Sequence, residues 1–139
     1  MKHMLIMRAT AEALQASKEL DFEQILNAMG AYNEQLMKAG VMVAGEGLSY
    51  EPGYVVHFAG ETPIVSDGPY GEVHELFSGF WILQTATAEE AIEWAKRCPL
   101  GPGSKLEVRR VHDESDFEEW SDNEYIQKEA GWREELGTE

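Results

Sequence analysis

Between Ser66 and Glu75 the chain reads Ser-Asp-Gly-Pro-Tyr-Gly-Glu-Val-His-Glu, which places three carboxylates, one imidazole and two glycines in a single short stretch. Those groups suffice for proton-transfer chemistry. Asp67 is the candidate general base, or the carboxylate that fixes a polar ligand; His74, whose ring titrates near neutrality, is the candidate acid or electrostatic stabiliser. Glu72 and Glu75 flank the imidazole and could orient it, and Tyr70 adds a phenol within reach of a ligand. The same residues also suit a tight turn, in which Asp67 accepts backbone amide hydrogen bonds and His74 bridges to a glutamate at the surface. No metal is expected, because Glu72-Val73-His74-Glu75 has no established ligand spacing and no second histidine lies nearby. No cofactor is identifiable. Gly45-Glu46-Gly47 does not open a helix and so is no phosphate cradle, and no nucleophile elbow occurs.

Asp-Gly-Pro suits neither a helix interior nor a central strand, so this stretch must be a loop, and its neighbours must supply the rigid frame. Met4 to Met7 is an apolar run suited to a first strand over residues 3–9. Residues 10–21 are expected to form a loop with a helical turn. From Asp21, apolar residues recur at helical spacing (Phe22, Ile25, Leu26, Met29, Tyr32, Leu36, Met37), with Asp21 as cap and Gly40 as terminator. Gly30 costs this helix about 1 kcal/mol relative to alanine, so close packing or a kink is expected there. Tyr32, on the apolar stripe, is a candidate ligand contact, although a tyrosine there is more often core with a wet tip.

Val41–Ala44 reads as the second strand. A hairpin of 54–59 and 63–66 follows and delivers Asp67, with Val55, His57 and Ala59 on one side and Tyr54, Val56 and Phe58 on the other. Residues 77–85 suit a central strand. Thr87 and Glu90 form a capping-box pattern for the second helix, whose Ala88, Ala91, Ile92 and Ala95 share a face; Pro99 ends it, and 105–111 is the last strand. The order β-α-β, hairpin, β-α-β predicts an α+β domain of ferredoxin-like βαββαβ type, an antiparallel sheet with both helices on one face and an inserted hairpin. The other face would show Phe80 or Trp81 and alternate residues of the first strand. A two-fold dimer is the simplest cover for it.

Several segments resemble the YCII-related, or DGPF, family. They are Asp67-Gly68-Pro69-Tyr70, the run from Ala39 to Leu48, Gly79-Phe80-Trp81-Ile82-Leu83, the helix from Glu89 to Pro99, and Glu107-Val108-Arg109-Arg110-Val111. The resemblance spans about residues 1–112 in order and implies a ferredoxin-like domain assembled as a dimeric α/β barrel, with clefts between or beside the sheets. Relatives of this kind commonly carry lysine where His74 stands, so a protonated His74 would replace its charge but not imine chemistry. Some carry a histidine on the first long helix as partner to an acid; this chain has none there, and Met29 or Tyr32 occupies that region. Two functional classes stand: a small-molecule enzyme using Asp67 and His74, read from those residues, and a non-catalytic ligand-binding or regulatory dimer, whose link to transcription is what the resemblance implies.

At 139 residues and 43% apolar content, one domain with one core is expected, over 1–112, followed by an acidic extension over 113–139. The net charge of -15 repels phosphate backbones and anionic membranes, which disfavours nucleic-acid and membrane partners. From Asp113 onward there are 11 acids against 2 bases, leaving the preceding part only moderately acidic. Phe117, Trp120, Tyr125, Ile126 and Trp132 in that extension favour helices packed on the core or on a partner subunit over disorder. The lone Cys98 cannot form an internal disulfide and fits a reducing cytoplasm, and Met1–Thr10 is too short to span a membrane.

Overall fold

The computed structural model describes residues 1–49, 53–58, 60–67 and 75–137. Strands β1 (Lys2–Thr10), β2 (Met42–Gly47), β5 (Glu75–Gln84) and β6 (Lys105–Arg110) form a four-stranded sheet in the order β2-β5-β1-β6. Every pairing in it is antiparallel. This is the ferredoxin-like order. Strands β3 (Tyr54–His57) and β4 (Ile64–Asp67) pair only with each other, as a separate two-stranded hairpin. The helices are α1 (Ala11–Ser17), α2 (Phe22–Lys38), α3 (Ala88–Lys96) and α4 (Glu124–Leu136), with a short 3-10 helix over Glu114–Trp120. No described helix is long and apolar enough to cross a membrane.

The helix ends are written in the sequence. The Asp21 carboxylate accepts from the Glu23 amide at 3.2 Å, and the Thr87 hydroxyl from the Glu90 amide at 3.2 Å. Glu90 reaches back one residue further than a capping box requires, to the Ala86 amide at 3.1 Å. Gly40 ends α2 with φ +70°, its amide bonded to the Met37 carbonyl and the next amide, of Val41, to the Leu36 carbonyl. That is a Schellman close, completed by packing of Val41 with Leu36 in the core. Segment 10–21 holds more structure than the sequence suggests, since Thr10 caps the full helix α1 through the Ala13 amide at 3.0 Å.

The main core lies between the sheet and helices α2 and α3. Leu5, Trp81 and Leu83 of the sheet meet Tyr32, Leu36 and Val41, with Met7, Trp94, Ala95, Cys98, Leu106 and Val108 packed around them. Tyr32 is 3% exposed, its ring perpendicular to that of Trp81 at a centroid distance of 5.6 Å. Its hydroxyl donates to the Trp94 carbonyl of α3 at 2.8 Å, and the Trp81 indole donates to the Asn33 side-chain oxygen at 2.8 Å. Gly45, paired with Trp81 across the sheet, makes room for the indole: a Cβ there would lie 2.9 Å from Trp81 Cδ1. Trp81 therefore belongs to the helix-covered face, and of the alternatives Phe80 and Trp81 it is Phe80 that lies on the open face.

Other expectations need correcting. Gly30 has neither a packing neighbour nor a break in α2; a Cβ would meet nothing within 4 Å. The N-terminal half of α2 runs past the core, leaving Phe22 and Leu26 exposed. On α3 the stripe that packs is Ala91, Trp94, Ala95 and Cys98, while Ile92 turns outward. Burial pushes the Cys98 thiol up to about 12, which leaves it protonated and unreactive at neutral pH.

His3 is 5% exposed and its Nδ1 has no hydrogen-bond partner among the described residues. Burial holds its pKa below the ordinary 6.5, helped by the N-terminal ammonium and Arg110 and opposed by Glu89. The unfolded chain therefore binds a proton before the folded one does, so stability is full above about pH 7 and falls as pH drops through 6.5. We expect thermal unfolding between pH 7 and 5 to show this loss, and His3→Leu to flatten it over that window. Tyr32→Phe, which removes the hydroxyl and leaves the Trp94 carbonyl with the Arg97 amide as its donor, should cost about 1 kcal/mol in denaturant melts.

Candidate functional site

The hairpin carries the chain to Asp67, near the start of the signature stretch. Tyr54 pairs with Asp67, Val55 with Ser66, Val56 with Val65 and His57 with Ile64. Pairing places Tyr54, Val56, Val65 and Asp67 on one side and Val55, His57, Ile64 and Ser66 on the other, matching the expected alternation. Among the described residues most of the hairpin's side chains are uncovered: Tyr54 is 76% exposed and Phe58 86%, and Val56, Ile64 and Val65 are exposed as well. His57 Nε2 and Ser66 Oγ lie 2.9 Å apart.

Asp67 is the last residue of β4 and is exposed. Tyr70, Glu72 and His74 lie outside the described residues, so the Asp67–His74 pair has no geometry here. Glu75 opens β5 opposite Thr10, which fixes where the signature stretch rejoins the sheet. Tyr32 is buried and its hydroxyl proton is already donated to Trp94; burial, and then the nearby Cys98, pushes its pKa above the ordinary 10. Its place is inside the brace between the two helices.

Where the stretch rejoins, the open face of the sheet begins. Because Leu5, Met7, Trp81, Leu83, Leu106 and Val108 face the helices, the alternate residues form the other face. In register its rows read Lys105, Arg8, Phe77; then Glu107, Ile6, Phe80, Glu46; then Arg109, Met4, Ile82, Ala44; and then Lys2, Gln84. A bulge at Ser78 keeps Phe77 on this face with Phe80, their rings 6.2 Å apart. Ile6 is only 6% exposed although it lies here, flanked by Phe80 and Glu107.

Arg8 Nη2 donates to Glu107 Oε2 at 2.5 Å, and Arg109 Nε lies 3.7 Å from Glu107 Oε1. Sequence reasoning missed Arg8, Glu107 and Arg109 as candidates. Their signal was the alternation of Lys105, Glu107 and Arg109 with Leu106 and Val108, which marks one side of a strand as charged, and the arginine that closes the apolar run of β1.

The extension is tied back by a second charged cluster. Arg110 bonds both Asp116 oxygens, at 2.9 and 2.5 Å, and His112 Nδ1 lies 3.1 Å from Oδ2. The Arg110 guanidinium chiefly, then the Asp113 amide, holds the Asp116 carboxyl well below the usual range. Phe117 packs half-buried against the His112 ring. Beyond it the extension is helical, and Trp120, Tyr125 and Trp132 remain exposed. Between α4 and the Lys2–Gln84 end of the open face lies a cleft of about 540 Å³. Among the described residues no group of three or more potential ligands could hold a metal ion.

An uncharacterised protein of Rhizobium meliloti (strain 1021) is 34% identical over 82 residues, covering 58% of this chain and 64% of that protein. The match thus spans under two thirds of that relative's length. Among solved structures, the 5-chloro-2-hydroxyhydroquinone dehydrochlorinase of Burkholderia phenoliruptrix AC1100, in complex with 2,5-dihydroxybenzoquinone, covers 83% of this chain and 98% of its own. Its identity is 14% and its TM-score 0.42, too distant to carry an argument about activity. The model of the YCII-related domain matches residues 1–115, nearly the whole sheet-and-helix unit, and the chain belongs to that family.

Proposed function

We propose that the protein is a homodimer that binds a small molecule between open sheet faces, with the signature stretch at the mouth of the cleft. In this reading Asp67 is the general base, His74 the acid or electrostatic stabiliser, and Glu72 and Glu75 orient the imidazole, while Tyr70 contacts the ligand. The observation that carries the proposal is the open face itself. Met4, Ile6, Phe77, Phe80 and Ile82 form a continuous apolar strip, in which Phe77 is exposed, Met4, Phe80 and Ile82 are half-buried and Ile6 is buried among them, and the exposed hairpin adds Tyr54, Val56, Phe58, Ile64 and Val65. So much exposed apolar surface on one small chain marks a site of contact rather than a solvated exterior. A two-fold partner covers it with identical surface, and the register places the start of β5 at its border.

A second reading, a non-catalytic ligand-binding dimer, is favoured by one observation. Helix α2 has no histidine to partner an acid, and the hydroxyl of its Tyr32 is already bonded to Trp94. The two readings share the cleft and differ in turnover.

Sedimentation at high micromolar concentration should show a dimer for the wild type and a monomer for Phe80→Glu; a monomeric wild type overturns the assembly. A thermal-shift screen against a metabolite library, run on wild type and Asp67→Asn, tests the site. Because Asp67 is exposed on an outlying hairpin, Asp67→Asn should melt within about 2 °C of wild type. Hits lost in the mutant support the site. Hits unchanged in it exclude Asp67, and a large fall in melting temperature assigns Asp67 to holding the turn.

A further inference from the structure

We propose that the open sheet face binds a small aromatic carboxylate, with Arg8 and Arg109 taking the carboxylate and Phe77 and Phe80 the ring. This inference rests on the reading above in placing the ligand on that face, and it adds the chemical class.

Charge distribution is the first support. The chain carries 11 basic against 26 acidic residues. Two of those basic residues, Arg8 and Arg109, meet on this one face around the single carboxylate of Glu107. Two guanidiniums against one carboxylate leave a local excess of positive charge there, on a strongly negative molecule. A polyanion or anionic membrane would meet the repulsion of the whole chain, whereas a small monoanion meets only the local field within a Debye length of about 8–10 Å.

Geometry is the second. Glu107 lies between Arg8 at 2.5 Å and Arg109 at 3.7 Å, one carboxylate shared by two guanidiniums. Each guanidinium presents five N–H donors, and among the described residues Glu107 takes one Nη2 of Arg8. Glu107 therefore holds the fork in place without using up its donors. A partly exposed ion pair of this kind adds little to stability, and its contribution here is to position Arg8 as a positioning residue would.

The neighbouring side chains supply the rest. Arg8 is paired across the sheet with Phe77, whose ring lies 6.2 Å from that of Phe80, and Ile6 fills the next position. A planar acid of benzoate size could lay its ring on these aromatics while its carboxylate meets the arginine fork edge-on. Aliphatic anions and inorganic phosphate satisfy only one half of this surface, and neutral aromatics only the other.

The test is titration calorimetry of the full chain with benzoate, phenylacetate and salicylate, each beside its neutral counterpart (benzyl alcohol, 2-phenylethanol, salicyl alcohol) and beside inorganic phosphate at matched ionic strength. At least one acid should bind about tenfold or more tighter than its neutral counterpart and than phosphate, and binding should weaken with added salt. Arg8→Gln should lose that preference. Arg109→Gln, whose side chain is largely exposed, should weaken it at unchanged circular dichroism, which keeps the test informative if Arg8→Gln does not fold. Equal binding of acids and neutral compounds, no binding of any acid, or full binding by both variants overturns the inference, whatever the sedimentation result. A wild type that sediments as a monomer yet binds an acid through Arg8 removes the dimer and leaves the anion site standing.

Discussion

Tyr32 is the point on which both layers of the fold close. It reaches from α2 to the backbone of α3 through one hydrogen bond, and to β5 through the edge-on contact with Trp81. Each of the two helices is otherwise joined to the sheet by a small patch: half of α2 overruns the core, and α3 contributes mainly two alanines, a tryptophan and a cysteine. A buried hydroxyl that has a partner fixes relative positions in a way that apolar contact does not, because the bond has one length and one direction. The indole is fixed in turn by Asn33, one residue along the same helix, so a single turn of α2 sets both helix spacing and sheet distance.

With one face so closed, the chemical character of the molecule is carried by what lies outside it. The closed face is apolar and contains little to recognise. The opposite face mixes an aromatic strip with most of the positive charge that the sheet owns, and it adjoins the point where the signature stretch returns. The acidic extension is held at its root by Arg110 and Asp116, and its helix α4 borders a cleft at the Lys2–Gln84 end of that face.

Much of this frame was legible in the residues. Caps at Asp21 and Thr87, the Gly40 stop and the split order of strands and helices are local chemistry, and local chemistry is what a sequence displays. The face assignment of Trp81 was not legible, because it depends on Gly45 in another strand leaving room for the indole. The outward turn of Ile92 and the overrun of α2 depend on where the sheet ends, which periodicity does not encode. At the site, the Asp67 position at the end of a strand followed from the turn residues beside it. The arginines of the open face did not stand out, because each is an ordinary surface residue until strand register sets β1 beside β6.

The bulge at Ser78 has a consequence for the face of the sheet that Phe77 joins. Alternation along β5 changes parity at that residue: even-numbered side chains face outward beyond it, and odd-numbered Phe77 does so before it. Ser78 acts as a half-step in a two-step rhythm, secured by its hydroxyl on the Met7 carbonyl at 3.1 Å. Without that half-step, Phe77 would turn toward the helices and the open face would lose one of its two aromatic rings. One bulged serine thus decides on which side of the sheet Phe77 stands.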